Sequence, residues 1–155
     1  MRIPQHVWDY VHASTLRTCL FAPAISTVGA YDQRGARITT SGDSAYLYMH
    51  VPTIYDTYDR LRIQYVAGAT AASMHVTLTG WKVNVGDTVG SGDWTQANLN
   101  IGSVTADELI EFDLSAFYDG IDAGALLVLK VEYSSTTDAS NLYTPGWYLR
   151  FKPET

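Results

Sequence analysis

Two stretches between Ser44 and Ala67 alternate strictly between apolar and polar positions. In the first, Ala45, Leu47, Met49 and Val51 fall on one side, and Tyr46, Tyr48 and His50 on the other. In the second, Leu61, Ile63 and Tyr65 alternate with Arg60, Arg62 and Gln64. A period of two belongs to half-buried antiparallel strands, with one face on a core and one toward water. A short connector carrying Pro52 joins them.

The same texture extends over most of the chain. Strands are predicted over 25–31, weakly over 36–40, then over 45–51, 60–66 and 73–85. In the last of these Met74, Val76 and Leu78 oppose His75, Thr77 and Thr79. A glycine-rich loop with Asp87 and Asp93 follows, then strands over 97–104 and 109–114. Residues 115–121 read as a helical turn capped by Ser115. The run 125–133 is apolar on both faces, as a central strand is. Trp147, Leu149 and Phe151 alternate with Tyr148, Arg150 and Lys152 in a closing strand. Eight or nine short strands with turn signals between them predict an all-β chain: an antiparallel β-sandwich of eight-stranded jelly-roll type over 25–155.

Residues 1–24 show no clear period and read as an N-terminal arm or docking segment. Its apolar residues Ile3, Trp8, Val11, Leu16 and Phe21 are the candidate anchors on a partner. The size, 155 residues, suits one domain and this arm. The lone cysteine, Cys19, has no intrachain partner, so packing must hold the fold, and it reads as a buried structural thiol.

Charge narrows the choice of partners. The chain carries −6 overall, with an acidic body after Ser44 and a slightly basic leading segment. An acidic body is the opposite of the basic stripe that nucleic acid requires. No run approaches the ~20 apolar residues of a membrane span. Charged residues are only 17% of the chain while tyrosines number 11, a balance found where surface is hidden against a partner. The three lysines leave sheet edges without their usual guard, which points the same way.

The order of features within 25–155 carries a resemblance. A strand beginning Ser44-Ala45 leads to a Val51-Pro52 connector ending in Tyr55. The Leu61, Ile63, Tyr65 strand ends at Ala67, and a Thr-rich strand follows. Then come the acidic run Glu108 to Leu114, the run Asp122 to Val131, and an aromatic closing strand. This resembles the small jelly-roll virion proteins of tailed bacteriophages and their prophage relatives, which decorate capsids, form head fibres or sit in tail appendages. The resemblance implies a non-enzymatic structural protein of a virion surface, made in a host cytoplasm. It also implies a homotrimer, with capsid or tail proteins as partners and no cofactor.

Catalytic signatures are sparse. Gly42-Asp43-Ser44 opens a strand, whereas a nucleophile elbow needs a strand before its serine and a helix after it. His50 and His75 could meet in space and, with Asp56 or Asp59, hold zinc, although surface imidazoles explain them as well. Asp87 and Asp93 lie among glycines without calcium-loop spacing. Glu111 and Asp113 share a strand face without implying sugar hydrolysis. No catalytic, metal or cofactor residue is assigned.

The aromatic residues carry the most information. Tyr46, Tyr48, His50, Tyr55 and Tyr58 are candidate subunit-interface residues, and Trp81 and Trp94 candidate glycan contacts. Some of them could equally be core. A glycan-binding or receptor-binding sandwich of a tail appendage is therefore the alternative to the structural role.

Overall fold

The structure, a computed structural model, describes residues 9–14, 24–28, 33–38, 43–88, 90, 93–134 and 142–153. Among these, ten strands form two antiparallel sheets, and no residue is helical. The strands are β1 (Asp9–Ser14), β2 (Ala24–Val28), β3 (Gln33–Ile38), β4 (Ser44–His50), β5 (Tyr55–Ala67), β6 (Ala71–Val83), β7 (Trp94–Val104), β8 (Leu109–Asp113), β9 (Leu126–Tyr133) and β10 (Leu142–Pro153).

The first sheet runs β2-β3-β10-β5-β8, and the second β4-β9-β6-β7. β10 organises the first. One of its edges takes β5 along nearly its whole length. Its other edge takes β3 at Leu142–Thr144 and then β1 from Gly146 to Phe151. The change of neighbour falls at Pro145, between Tyr143 and Gly146, where the register against β5 also shifts. A proline has no N–H for a ladder, so an irregularity is where an interior strand tolerates one.

The alternation read from the sequence decides which side chains meet. Leu47 and Met49 of β4, Met74, Val76 and Leu78 of β6, and Leu127 and Leu129 of β9 point inward. They pack on Leu61, Ile63 and Tyr65 of β5 and on Trp147, Leu149 and Phe151 of β10. Trp147 also crosses between the sheets, its Nε1 donating to the Tyr48 carbonyl at 3.5 Å. Burying a large apolar side chain is worth about 1.5–3 kcal/mol, so these facing rows hold the sandwich together.

Within the segment read as an arm, Asp9–Ser14 is a strand on β10 and Ala24 begins β2; its other residues lie outside the described ones. Two expectations change. β5 begins at Tyr55, not Arg60, because β10 extends to pair with it through Pro153↔Tyr55. Residues 115–121 form a turn followed by irregular chain and a bend, not helix. Ser115 does not cap a helix: its Oγ accepts from Leu61 N at 3.1 Å, and its own N–H donates to Asp113 Oδ1 at 2.8 Å.

The edge strand β7 contains no charged residue and no proline. Its register against β6 shifts three times, and Asn98 and Gly102 hold positive φ of 51° and 99°. The Gly102 N–H is taken by Asn100 Oδ1 at 2.8 Å. Bulges therefore blunt this edge, the task lysine often performs.

Among the described residues, no helix is long and apolar enough to cross a membrane.

Candidate functional site

The β6–β7 connection and the turn after β8 enclose a cleft of about 480 Å³. Lys82, Asn84, Asp87, Asp93 and Trp94 line one part of it, and Phe117, Tyr118 and Asp119 the other. Its volume lies in the usual range for small-ligand sites, about 300–1,000 Å³.

Local chemistry fixes both walls. Asn84 to Asp87 is a tight turn closed by Asp87 N–H donating to the Asn84 carbonyl at 3.1 Å. Gly86 sits at its third position with φ of 98°, a conformation that favours glycine. Asp87 Oδ2 accepts from Asn84 N at 3.0 Å, and Asp93 Oδ2 accepts from Lys82 N. Across the cleft, Lys82 Nζ donates to the carbonyls of Asp119 and Gly120 at 2.9 and 2.8 Å. The ammonium thus clamps the hairpin to the turn.

The aromatic wall is equally constrained. Trp94 stacks on Phe117, with centroids 4.9 Å apart and planes 26° apart, and meets Tyr118 edge-on at 5.3 Å. A Cβ on Gly80 would fall 2.2 Å from the Trp94 ring, so only glycine leaves room for the indole. The Tyr118 hydroxyl donates to the Val128 carbonyl at 2.6 Å, which ties the turn to the second sheet. Burial pushes its phenol well above the usual tyrosine range. Tyr58 OH lies 3.0 Å from the Ser115 carbonyl and 2.6 Å from that of Tyr118, holding the same turn to β5. Desolvation first, and then Asp119 and Asp113, raise its pKa.

The tyrosines singled out from the sequence part company. Tyr46, Tyr48 and His50 share the outer face of the second sheet. Tyr55 is buried against Phe151, with centroids 6.1 Å apart. Its phenol is pushed up to about 12, chiefly by desolvation and then by Tyr58, Asp56 and Asp122. Tyr58 packs on the core beside the 115–118 turn. The two tryptophans separate as well. Trp94 pairs with Gly80 on the inward side of β6, whereas Trp81 points outward. Trp81 packs beside Tyr46, with centroids 6.3 Å apart and planes 31° apart, and its Nε1 donates to the Gly90 carbonyl at 3.0 Å.

Val11 lies in β1, its backbone opposite Leu149. Ile3, Trp8, Leu16, Cys19 and Phe21 lie outside the described residues. His50 and His75 do not meet: His50 shares a row with Val83 of β6, eight residues and roughly 26 Å from His75. Among the described residues, no group of three or more His, Cys, Asp or Glu side chains could hold a metal ion.

Glu111 and Asp113 belong to the outer face of the first sheet. Glu111 accepts from Arg62 Nη1 at 2.9 Å, Gln64 Nε2 at 3.1 Å and Tyr148 OH at 3.0 Å. Desolvation works to raise its pKa, but these bonds prevail and hold it below the usual carboxylate range. Sequence reasoning missed Lys82, Asn84, Phe117, Tyr118 and Asp119 as cleft residues. They come from segments that no local pattern joins.

Comparison with solved structures places the fold. The CBM36-1 domain of a multidomain xylanase from the hindgut metagenome of Trinervitermes trinervoides matches with a TM-score of 0.54 at 7% identity, covering 95% of this chain and 100% of that chain. A family 35 carbohydrate binding module from Clostridium thermocellum gives 0.49 at 13% identity, covering 93% and 98%. The Tobacco streak virus coat protein dimer gives 0.34 at 13% identity, covering 100% and 91%. At this identity the first likeness shows the fold alone, an antiparallel β-sandwich of jelly-roll type. No protein-family model matches the sequence, and no curated protein matches it.

Proposed function

We propose that this chain is a non-catalytic binding module that takes a glycan in the cleft lined by Lys82, Asp87, Asp93, Trp94 and Asp119. The observation that carries this reading is one braced cleft whose lining joins two stacked aromatic rings, Trp94 and Phe117, with carboxylates and an amide. A sugar presents C–H faces that pack on aromatic rings and hydroxyls that donate to carboxylates, so it uses both parts. The clamp from Lys82 fixes the walls before the ligand arrives, which reduces the ordering cost of binding. Binding rather than catalysis is supported by the engagement of Asp87 and Asp93 with backbone N–H groups, which hold them as structural acceptors. The shared fold with a domain named as a carbohydrate-binding module supports the same reading.

A glycan array followed by calorimetry tests it. The folded protein is expected to retain a discrete set of glycans. Asp119→Ala removes a cleft carboxylate while leaving the carbonyl that Lys82 uses, and should weaken binding at least tenfold. Silence of the wild-type protein across the array, or unchanged affinity in Asp119→Ala, overturns the proposal.

A structural role on a virion surface is the second reading. It is supported by the outer face of the second sheet, which is poor in charge and carries Tyr46, Tyr48 and Trp81. If Trp8 anchors such a protein, Trp8→Ala should lower its occupancy on particles without changing its melting temperature.

A further inference from the structure

We propose, resting on the glycan reading above, that the cleft selects sugars that carry free amines, of which oligomers of glucosamine are the simplest, and turns away acidic sugars.

The charge of the lining favours this choice. Asp87, Asp93 and Asp119 stand against one cation, Lys82, so three carboxylates and one ammonium leave the cleft a formal charge of −2. The three aspartates are exposed, whereas Lys82 is half-buried. Its ammonium donates to the backbone carbonyls of Asp119 and Gly120 at 2.9 and 2.8 Å, not to a carboxylate. The one positive group is thus held by the fold, and a ligand meets the acids. Asp87 and Asp93 each give one oxygen, Oδ2, to a backbone N–H. A carboxylate accepts through two oxygens and about four lone pairs, so both keep capacity for a ligand ammonium.

The field of these acids reaches the aromatic part of the cleft. Behind desolvation, Asp93 is the main influence raising the Tyr118 phenol, and Asp119 the main one raising that of Tyr58. A concave site lined by one sign of charge, with apolar walls, concentrates ligands of the opposite sign.

The spread of the acids favours an organic cation over a metal ion. Among the described residues, no group of three or more His, Cys, Asp or Glu side chains is placed to hold a metal. Carboxylates distributed around a cleft of about 480 Å³ instead suit a ligand of sugar size. An amino sugar offers an ammonium with three donors to the acids and C–H groups to the Trp94 and Phe117 rings. A uronic or sulfated sugar would bring like charge to the same lining.

Calorimetry at ~10 mM salt, comparing a glucosamine tetramer with its N-acetylated counterpart and with a galacturonate tetramer, tests the proposal. Two net charges acting on an ammonium through several ångströms of water-like dielectric should favour the amine about five- to tenfold. That preference should nearly vanish at about 1 M salt, where screening is complete within the cleft. Galacturonate should bind more weakly than the acetylated tetramer. Asp87→Asn and Asp93→Asn each keep an oxygen for the backbone N–H and remove one charge. Each should lower the preference for the amine about two- to threefold, with an unchanged circular dichroism spectrum. Glycan binding without preference for the amine, a preference unmoved by salt or by both variants, or tighter binding of galacturonate overturns this proposal and leaves the glycan reading standing. Silence toward every sugar overturns both.

Discussion

Tyr65 lies at the centre of the core with none of its surface exposed, and its hydroxyl has no hydrogen-bond partner among the described residues. Burial pushes its phenol far above the usual tyrosine range. A buried polar group left unpaired costs about 1–3 kcal/mol. Tyr65→Phe removes that group and keeps the ring. The space left by one oxygen, about 15 Å³, returns roughly 0.4 kcal/mol of cavity cost. Tyr65→Phe should therefore stabilise the fold by about 1 kcal/mol, and a domain of this size should melt roughly 3 °C higher. Urea unfolding should show a higher midpoint with an unchanged slope. Thr144 offers a control. Its Oγ1 is also buried and unpaired, and it lies in the irregular part of β10 between the residues opposite Gln64 and Val66. A loss of 1 kcal/mol or more in Tyr65→Phe would refute the reasoning. A matching loss in Thr144→Val, with the double variant no worse than either single, would identify a water shared by the two hydroxyls.

Two further outcomes follow from the geometry. Gly86→Ala meets no neighbouring atom, so its cost is conformational: about 1–2 kcal/mol by urea unfolding, with weaker glycan binding as the Asn84–Asp87 turn loosens. Glu111 and Asp113 both titrate below their ordinary values; for Asp113, desolvation opposes the shift, while hydrogen bonds from Ser115 and the charges of Arg62 and Arg60 produce it. A depressed folded pKa gives stability that is complete above the unfolded carboxylate pKa of ~4 and is lost as pH falls through the folded value. The melting temperature of the wild type should thus fall more steeply between pH 5 and pH 3 than that of Glu111→Gln, and parallel curves would remove Glu111 from the account.

The sequence was most legible where one face of a strand is buried and the other wet. Leu47 and Met49, or Met74, Val76 and Leu78, announce their strands and orientation without any knowledge of partners. Legibility failed where a distant strand supplies the reason for local structure. Tyr55–Asp59 is polar and reads as connector, but it is strand because β10 lies beside it and Arg150 bonds to Asp59. Asp9–Ser14 is a strand only through β10. The closing strand reads from Trp147, yet β10 begins at Leu142 and runs through Thr144-Pro145-Gly146, where its neighbour changes. Ser115 carries a cap signal, but its hydroxyl serves a strand 54 residues away. For the cleft, the sequence offered Trp94, Asp87 and Asp93. The opposing wall, Phe117 to Asp119, is brought there by tertiary contacts through Lys82, Tyr58 and Tyr118, which no spacing encodes.

The position of β10 has a kinetic consequence. Among the described strands it alone joins β1, β3 and β5 into one sheet, and it is the last of them in the chain. During synthesis, β2 with β3 and β5 with β8 can form as separate pairs, while β1 waits with an unmade ladder until residues 146–151 emerge. Closing contacts across so long a stretch of sequence is slow, since the loop entropy is spent before the pairing compensates it. A ribosome-bound chain that lacks this strand would expose the inner rows of β5 and β6 to one another's neighbours, and aggregation would be the characteristic failure of truncated or stalled product.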